Sequence, residues 1–196
     1  MAATKNDAEG GINSFISEQK KAPGEANLTL VEFDNSYTFV HNGINIKDAP
    51  RYNLRPGGST ALLDAIGRAI NETGERLRKM PESERPAIVI CMIVTDGGEN
   101  ASREFTFAQI KDMIAHQSEK YNWQFQFLGS DPSTFSTGDS LGLTEGRVSS
   151  YNQAMPSLAY ATNSAKLSGI RGMSLSGQNV SAADFDYTDS ERASMF

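Results

Sequence analysis

The feature that most constrains this chain is an unbroken apolar run, Ala87-Ile88-Val89-Ile90-Cys91-Met92-Ile93-Val94, followed at once by Thr95-Asp96-Gly97-Gly98. A strand with one wet face alternates apolar and polar residues. This run does not alternate, so both its faces must be covered, as in a parallel sheet lying between helices. It is far shorter than the ~20 apolar residues that span a bilayer. The Gly-Gly pair ends it at the edge where such sheets keep their ligands.

The neighbouring segments fit that frame. Asp7 to Lys20 reads as a helix with Ile12, Phe15 and Ile16 on one face, stopped by Pro23-Gly24. Leu28 to Phe33 reads as a strand, and Tyr37 to Val40 as its hairpin partner, closed by a turn at Asn42-Gly43. Ser59 or Thr60 is placed to cap a helix running to Lys79, with Leu62, Leu63, Ile66, Ile70 and Leu77 as its buried stripe. Thr106 and Gln109 form a capping box for a helix carrying Ile110, Met113 and Ile114. Trp123 to Gly129 is a further strand, Ser133 to Leu141 a short helix or loop, Arg147 to Ser149 an edge strand, and Asn152 to Ile170 a last helix. Strand and helix alternate, which predicts a doubly wound α/β domain with helices on both faces of a mostly parallel sheet, over residues 1–171. From Gly172 to Phe196 apolar residues thin out. That stretch reads as a polar, partly mobile tail, on which Phe185, Tyr187 and Phe196 are the residues able to dock.

The bulk properties exclude several classes. The chain has 196 residues and a net charge of -6, without the basic face that nucleic-acid binding requires. Its cationic cluster, Arg76-Leu77-Arg78-Lys79, falls at a helix end, where it opposes the negative pole of the helix dipole. No segment reads as a membrane span, and the first residues carry no apolar stretch of a secretory signal. Cys91 is the only cysteine, so no internal disulfide forms. It is expected to pack as a small buried hydrophobe, and the expected compartment is a reducing cytoplasm.

Two loops carry chemistry. Gly57-Gly58-Ser59-Thr60 opens a helix with a hydroxyl, and Val94-Thr95-Asp96-Gly97-Gly98-Glu99-Asn100 ends the apolar strand with a carboxylate. In a doubly wound sheet both fall beyond the carboxyl ends of the strands. A neutral hydroxyl with a hard carboxylate suits Mg²⁺ in an octahedron completed by waters. Few formal charges leave such a metal able to take a carboxylate from a partner protein.

These residues carry a resemblance. Asn13 to Lys20, Leu28 to Phe33, Gly57 to Gly67, Val94 to Ser102 and Phe125 to Gly129 together resemble a von Willebrand factor A domain, closest to the small stand-alone versions of bacteria and their phages. The resemblance covers residues 1–171. It implies a metal-ion-dependent adhesion site. Thr60 matches the family's threonine ligand, Asp96 its second-loop aspartate, and the loop residues Gly58, Ser59, Gly97, Gly98 and Glu99 would meet the partner. The family's first motif, Asp-x-Ser-x-Ser, supplies three of the usual five ligand side chains and finds no counterpart here. The Met that follows it in close relatives corresponds to Met1. The expectation is an adhesion site with two of its five ligands, weak for Mg²⁺, in a sheet without its central first strand. A chain starting downstream of its true initiation codon, direct pairing of the flanking strands, or a strand supplied by the tail or another chain would each account for that gap.

The expected function is a non-enzymatic protein-interaction module in a bacterial or phage-infected cytoplasm, binding an acidic side chain of its partner. The alternative is an assembly component that oligomerises by strand completion. A metal-dependent hydrolase is the weaker third reading. No Walker A lysine follows Gly57-Gly58, His41 and His116 have no nucleophile partner in the sequence, and Glu99 is the only carboxylate close to Asp96.

Overall fold

A computed structural model describes residues 4–55 and 57–196; Met1, used above, lies outside them. In chain order the elements are α1 (Lys5–Lys21), β1 (Asn27–Phe33), β2 (Tyr37–Asn45), α2 (Leu62–Arg78), β3 (Val89–Thr95), α3 (Phe107–Tyr121), β4 (Trp123–Gly129), α4 (Thr134–Ser140), β5 (Val148–Ser150), α5 (Pro156–Leu175) and α6 (Asp189–Ala193). The fold is mixed α/β. Among the described residues the strands make two sheets rather than the single one expected: an antiparallel β1-β2 hairpin and a parallel β3-β4-β5 sheet. β1 and β3, the strands flanking the expected gap, are not hydrogen-bonded to each other.

Side-chain alternation along β3 and β4 sorts residues to the two faces of the parallel sheet. Ile93, Trp123, Phe125 and Phe127 pack against Leu62, Leu63, Ile66 and Ile70 of α2 and Ile110 and Ile114 of α3. On the opposite face, Leu128 packs with Tyr151, Ala159 of α5, and Tyr187 and Met195 of the C-terminal segment, joined by Met92 and Val94. A separate cluster joins Ala8 and Ile16 of α1 to the hairpin and to Ile46, Tyr52 and Leu54. β4 is buried along its whole length although its sequence alternates Trp-Gln-Phe-Gln-Phe. Each of its glutamines has one end bonded: Gln126 Nε2 donates to Phe185 O at 2.8 Å, and Gln124 Oε1 accepts from Arg147 Nη2 at 2.8 Å, while Gln126 Oε1 has no partner among the described residues.

α1 and α5 run side by side, held by polar contacts along their length. Ser157 N–H donates to Asp7 Oδ2 at 2.8 Å, Gln19 Nε2 donates to Ser164 O at 2.9 Å, and Arg171 donates to Gln19 O at 2.7 Å and Gly24 O at 2.8 Å. Gly11 lets the helices approach, since a β-carbon there would sit 2.8 Å from Ser157 Cα.

Several local expectations are corrected. The turn expected at Asn42-Gly43 does not form, and β2 continues to Asn45. Gly43 sits at φ +70° where the register with β1 slips, so the glycine serves a bulge inside the strand. Neither Ser59 nor Thr60 caps α2; the cap position is Ala61, without a side-chain bond. The division at residue 171 falls inside α5, which runs to Leu175. The segment after it is folded on the body, with Phe185, Tyr187 and Met195 buried and only Phe196 of the expected docking residues exposed. Asn152 N–H donates to Met195 O at 2.9 Å and Tyr187 N–H to Gly146 O at 2.7 Å, which fastens this segment around β5. Cys91 is half-buried rather than fully buried. No described helix is long and apolar enough to cross a membrane.

Candidate functional site

Four loops converge at one edge of the molecule: the turn after β1, the loop before α2, the loop after β3 and the loop after β4. The loop before α2 is the hub. Ala61 N–H donates to Asp34 O at 2.9 Å, while Thr60 O accepts from Asn100 N–H at 3.0 Å. A second bond between the same pair of residues runs the other way, Thr60 N–H to Asn100 Oδ1 at 2.8 Å. Ser59 N–H donates to Asn35 Oδ1 at 2.6 Å. Gly58 is required by this geometry, being at φ +71° with room for no side chain: a β-carbon would lie 2.4 Å from Asn35 Oδ1.

The loop after β3 is shaped by the strand's last residue. Buried Thr95 Oγ1 donates to Gly97 O at 2.8 Å and closes the turn that carries half-buried Asp96. A β-carbon on Gly97 would sit 3.2 Å from Thr60 Oγ1, so the threonine hydroxyl lies against this turn. One on Gly98 would sit 3.7 Å from Ser133 Oγ, in the loop after β4. The structure thus brings the Thr60 and Asp96 loops together at one edge, as expected.

Glu99 occupies a position that the sequence does not announce. Its carboxylate accepts from Leu63 N–H at 3.0 Å, Ala101 N–H at 2.9 Å, Ser102 N–H at 2.8 Å and Ser102 Oγ–H at 2.7 Å. It supplies from a distant loop the cap that α2 lacks locally. Partial burial opposes its ionisation, but the bonds from Ser102, Leu63 and Ala101 outweigh that and hold its pKa below the usual value. Its oxygens are therefore committed inside the protein. Asp64 makes the reciprocal tie from the first turn of α2, accepting from the N–H groups of Arg103, Glu104 and Phe105 at 2.8, 2.9 and 3.0 Å. Burial again opposes ionisation and is overcome by those three donors, so its pKa is lowered. Asp34 and Asp131 are held low by bonds from Ser36 and Ser133, each two residues on.

Beside this edge is a polar cleft of about 590 Å³ between the β1-β2 turn, α2 and the loop after β3. Arg68 stands in its wall, paired with Glu104 and with its guanidinium 5.8 Å from the centre of the Tyr37 ring. Both partners of the ion pair are substantially exposed, so it orients the cleft wall more than it stabilises the fold.

Of the residues the sequence singles out for a hard cation, Thr60 would bring a hydroxyl and Asp96 a carboxylate to this edge. Their oxygen chemistry suits Mg²⁺, but they are two donors where Mg²⁺ asks for six. Among the described residues, no three His, Cys, Asp or Glu side chains gather around one point. His41 and His116 lie apart, one in β2 and one on the exposed side of α3.

Sequence reasoning reached Gly58, Thr60, Asp96 and Gly97 and missed Asn35, Asp64 and Asn100 as their scaffold. The signal for Asp64 is an acidic residue in the first turn of a helix. Asn35 and Asn100 act through partners more than twenty residues away, which no local pattern encodes. No family model matches this sequence, and no curated protein matches it.

Proposed function

We propose that the chain is a non-enzymatic protein-interaction module built like a von Willebrand factor A domain, its two sheets being the halves of one doubly wound sheet. The loops around Thr60 and Asp96 form the contact edge. The observation that carries this reading is the peptide unit joining Thr60 and Ala61, which ties three loops of different origin into one rigid rim. A rim fixed by backbone bonds presents its exposed groups, Ser59 and the half-buried Gly97 and Gly98, without an ordering penalty on binding. Thr60 and Asp96 hold Mg²⁺ weakly, with waters and an acidic side chain of the partner completing the shell.

The test is paramagnetic. Mn²⁺ titrated into the protein is expected to broaden the amide signals of Thr60, Asp96 and Gly97, saturating at ~1 mM or above as befits a ligand-poor site. Thr60→Ala and Asp96→Ala should each abolish the effect, and EDTA should reverse it. Broadening centred elsewhere, or unchanged in both variants, refutes the metal part of the reading. A short aspartate-containing peptide that shifts the same signals in Mg²⁺ and not in EDTA supports the partner part.

A further inference from the structure

The polar cleft beside the rim carries an uneven set of unspent groups. It encloses about 590 Å³, in the range of small-ligand sites, and is walled by Asn35 after β1, Ser59 and Arg68 at the start of α2, and Asn100, Arg103 and Glu104 after β3. Its carboxylates are already bonded. Asp64 uses both oxygens on the N–H groups of Arg103, Glu104 and Phe105, and Glu104 uses both of its own on Arg68. The amide oxygens are bonded too. Asn35 Oδ1 accepts from Ser59 N–H at 2.6 Å, and Asn100 Oδ1 accepts from Thr60 N–H at 2.8 Å.

Those two bonds decide which way each amide is turned. A backbone N–H can only donate, so the atom facing it is the oxygen, and the NH₂ group is the prong left over. Ser59 and Thr60 are consecutive, so the two amides are anchored on neighbouring N–H groups of one loop. Each keeps its N–H donors for the cleft. Arg68 commits Nε and Nη2 to Glu104 and retains Nη1; its guanidinium lies 5.8 Å from the centre of the Tyr37 ring, which helps to fix it in the wall. Arg103 is exposed, and among the described residues no carboxylate pairs with its guanidinium. Bonded carboxylates have little to offer a cation. The spare valences are N–H donors, from two amides and two guanidiniums.

We propose that this cleft binds an oxyanion, the carboxylate or phosphate group of a small molecule, received by Asn35 Nδ2, Asn100 Nδ2, Arg68 and Arg103. Guanidinium forks and amide N–H pairs match the multiple oxygens of such a group, and bonds to a charged acceptor are the stronger kind. The net charge of -6 opposes an anion at long range, but screening over ~8 Å at physiological salt confines that cost, and the contact donors outweigh it. Thr60 and Asp96 do not line the cleft, so the site needs no metal and is independent of the rim reading.

The experiment is an NMR titration of the whole chain in EDTA at fixed ionic strength, with inorganic phosphate in one arm and succinate in the other. Saturable shifts are expected at the side-chain NH₂ signals of Asn35 and Asn100 and the Nε–H signals of Arg68 and Arg103, and the tighter arm identifies the oxyanion. Asn100→Asp keeps the acceptor for Thr60 N–H but replaces the donor prong with an anionic oxygen, so binding should be lost. Arg103→Ala, at an exposed position, should weaken binding about tenfold, as expected for one charge-assisted bond. Thr60→Ala should bind as wild type does. The absence of a saturable shift in both arms would overturn the proposal, as would the same shifts produced by sodium chloride. So would wild-type affinity in Asn100→Asp or Arg103→Ala. Loss of binding in folded Thr60→Ala would place the anion at the rim instead, and overturn it too.

Discussion

Glu99 offers a direct test of how α2 is held. Replacing it with alanine removes an acceptor for four hydrogen bonds and leaves the N–H groups of Leu63, Ala101 and Ser102 without their partner. A lost helix cap is worth about 1 kcal/mol. A hydrogen bond to a charged group contributes about 1.5–3 kcal/mol where enclosed, and less here because the loop is partly open to water. The expected loss is about 2–3 kcal/mol, or a melting temperature lower by about 4–12 °C for a domain of this size. Glu99→Gln keeps the shape and one acceptor oxygen and should lose about half as much. The pH dependence has a defined sign. The folded-state pKa is depressed, so the carboxylate's contribution is fully present above the unfolded value, about 4.3, and is lost as pH falls through the folded value. Urea unfolding of wild type and Glu99→Ala at pH 7 and pH 3 should therefore show a gap that narrows on acidification. A gap below 0.5 kcal/mol at pH 7, or one that widens toward pH 3, refutes the assignment of Glu99 as the cap of α2.

Two further outcomes probe the packing. Gly11→Ala should destabilise by about 1–3 kcal/mol in urea, because its β-carbon would meet the Ser157 backbone at 2.8 Å. Gly10→Ala, with nothing within 4 Å, should instead stabilise α1 slightly, and equal effects at the two positions would deny the close approach of α1 and α5. Met195→Ala should cost about 2–4 kcal/mol although it is the penultimate residue, since its side chain is fully buried beside Leu128 and Tyr151; a neutral result would mean the C-terminal segment is not part of the core.

How much of this was legible depended on the range of the interactions involved. The capping box of α3 lies within four residues and was readable, with Thr106 and Gln109 bonded both ways in the structure. The strand at Trp123–Gly129 was readable from its composition and bounds. The start of α2 was misread because a hydroxyl before an amphipathic stripe is the usual cap, and nothing local indicates that Glu99 takes the role from a loop 36 residues away. The C-terminal segment was legible only as a polar stretch with residues able to dock, of which Phe185 and Tyr187 are buried. Its apolar residues are sparse, but Tyr187 and Met195 land on one patch with Leu128 of β4 and Ala159 of α5, and Tyr187 Oη–H finds Asn163 Oδ1 at 2.8 Å in a buried site. Sparse hydrophobes signal disorder only when they do not converge, and convergence is a property of the fold.

The same reasoning bears on β3. Its unbroken apolar run predicts a strand with both faces covered, and both faces are covered, by α2 and α3 on one side and by α5 and the C-terminal segment on the other. What an apolar run cannot encode is the state of the strand's edges, because backbone hydrogen-bonding groups are the same in every sequence. Faces are specified by side chains and edges by topology. The half-burial of Val89, Ile90 and Met92 therefore carries information that composition does not: these side chains are shaped for a continuous sheet, and the sheet stops beside them.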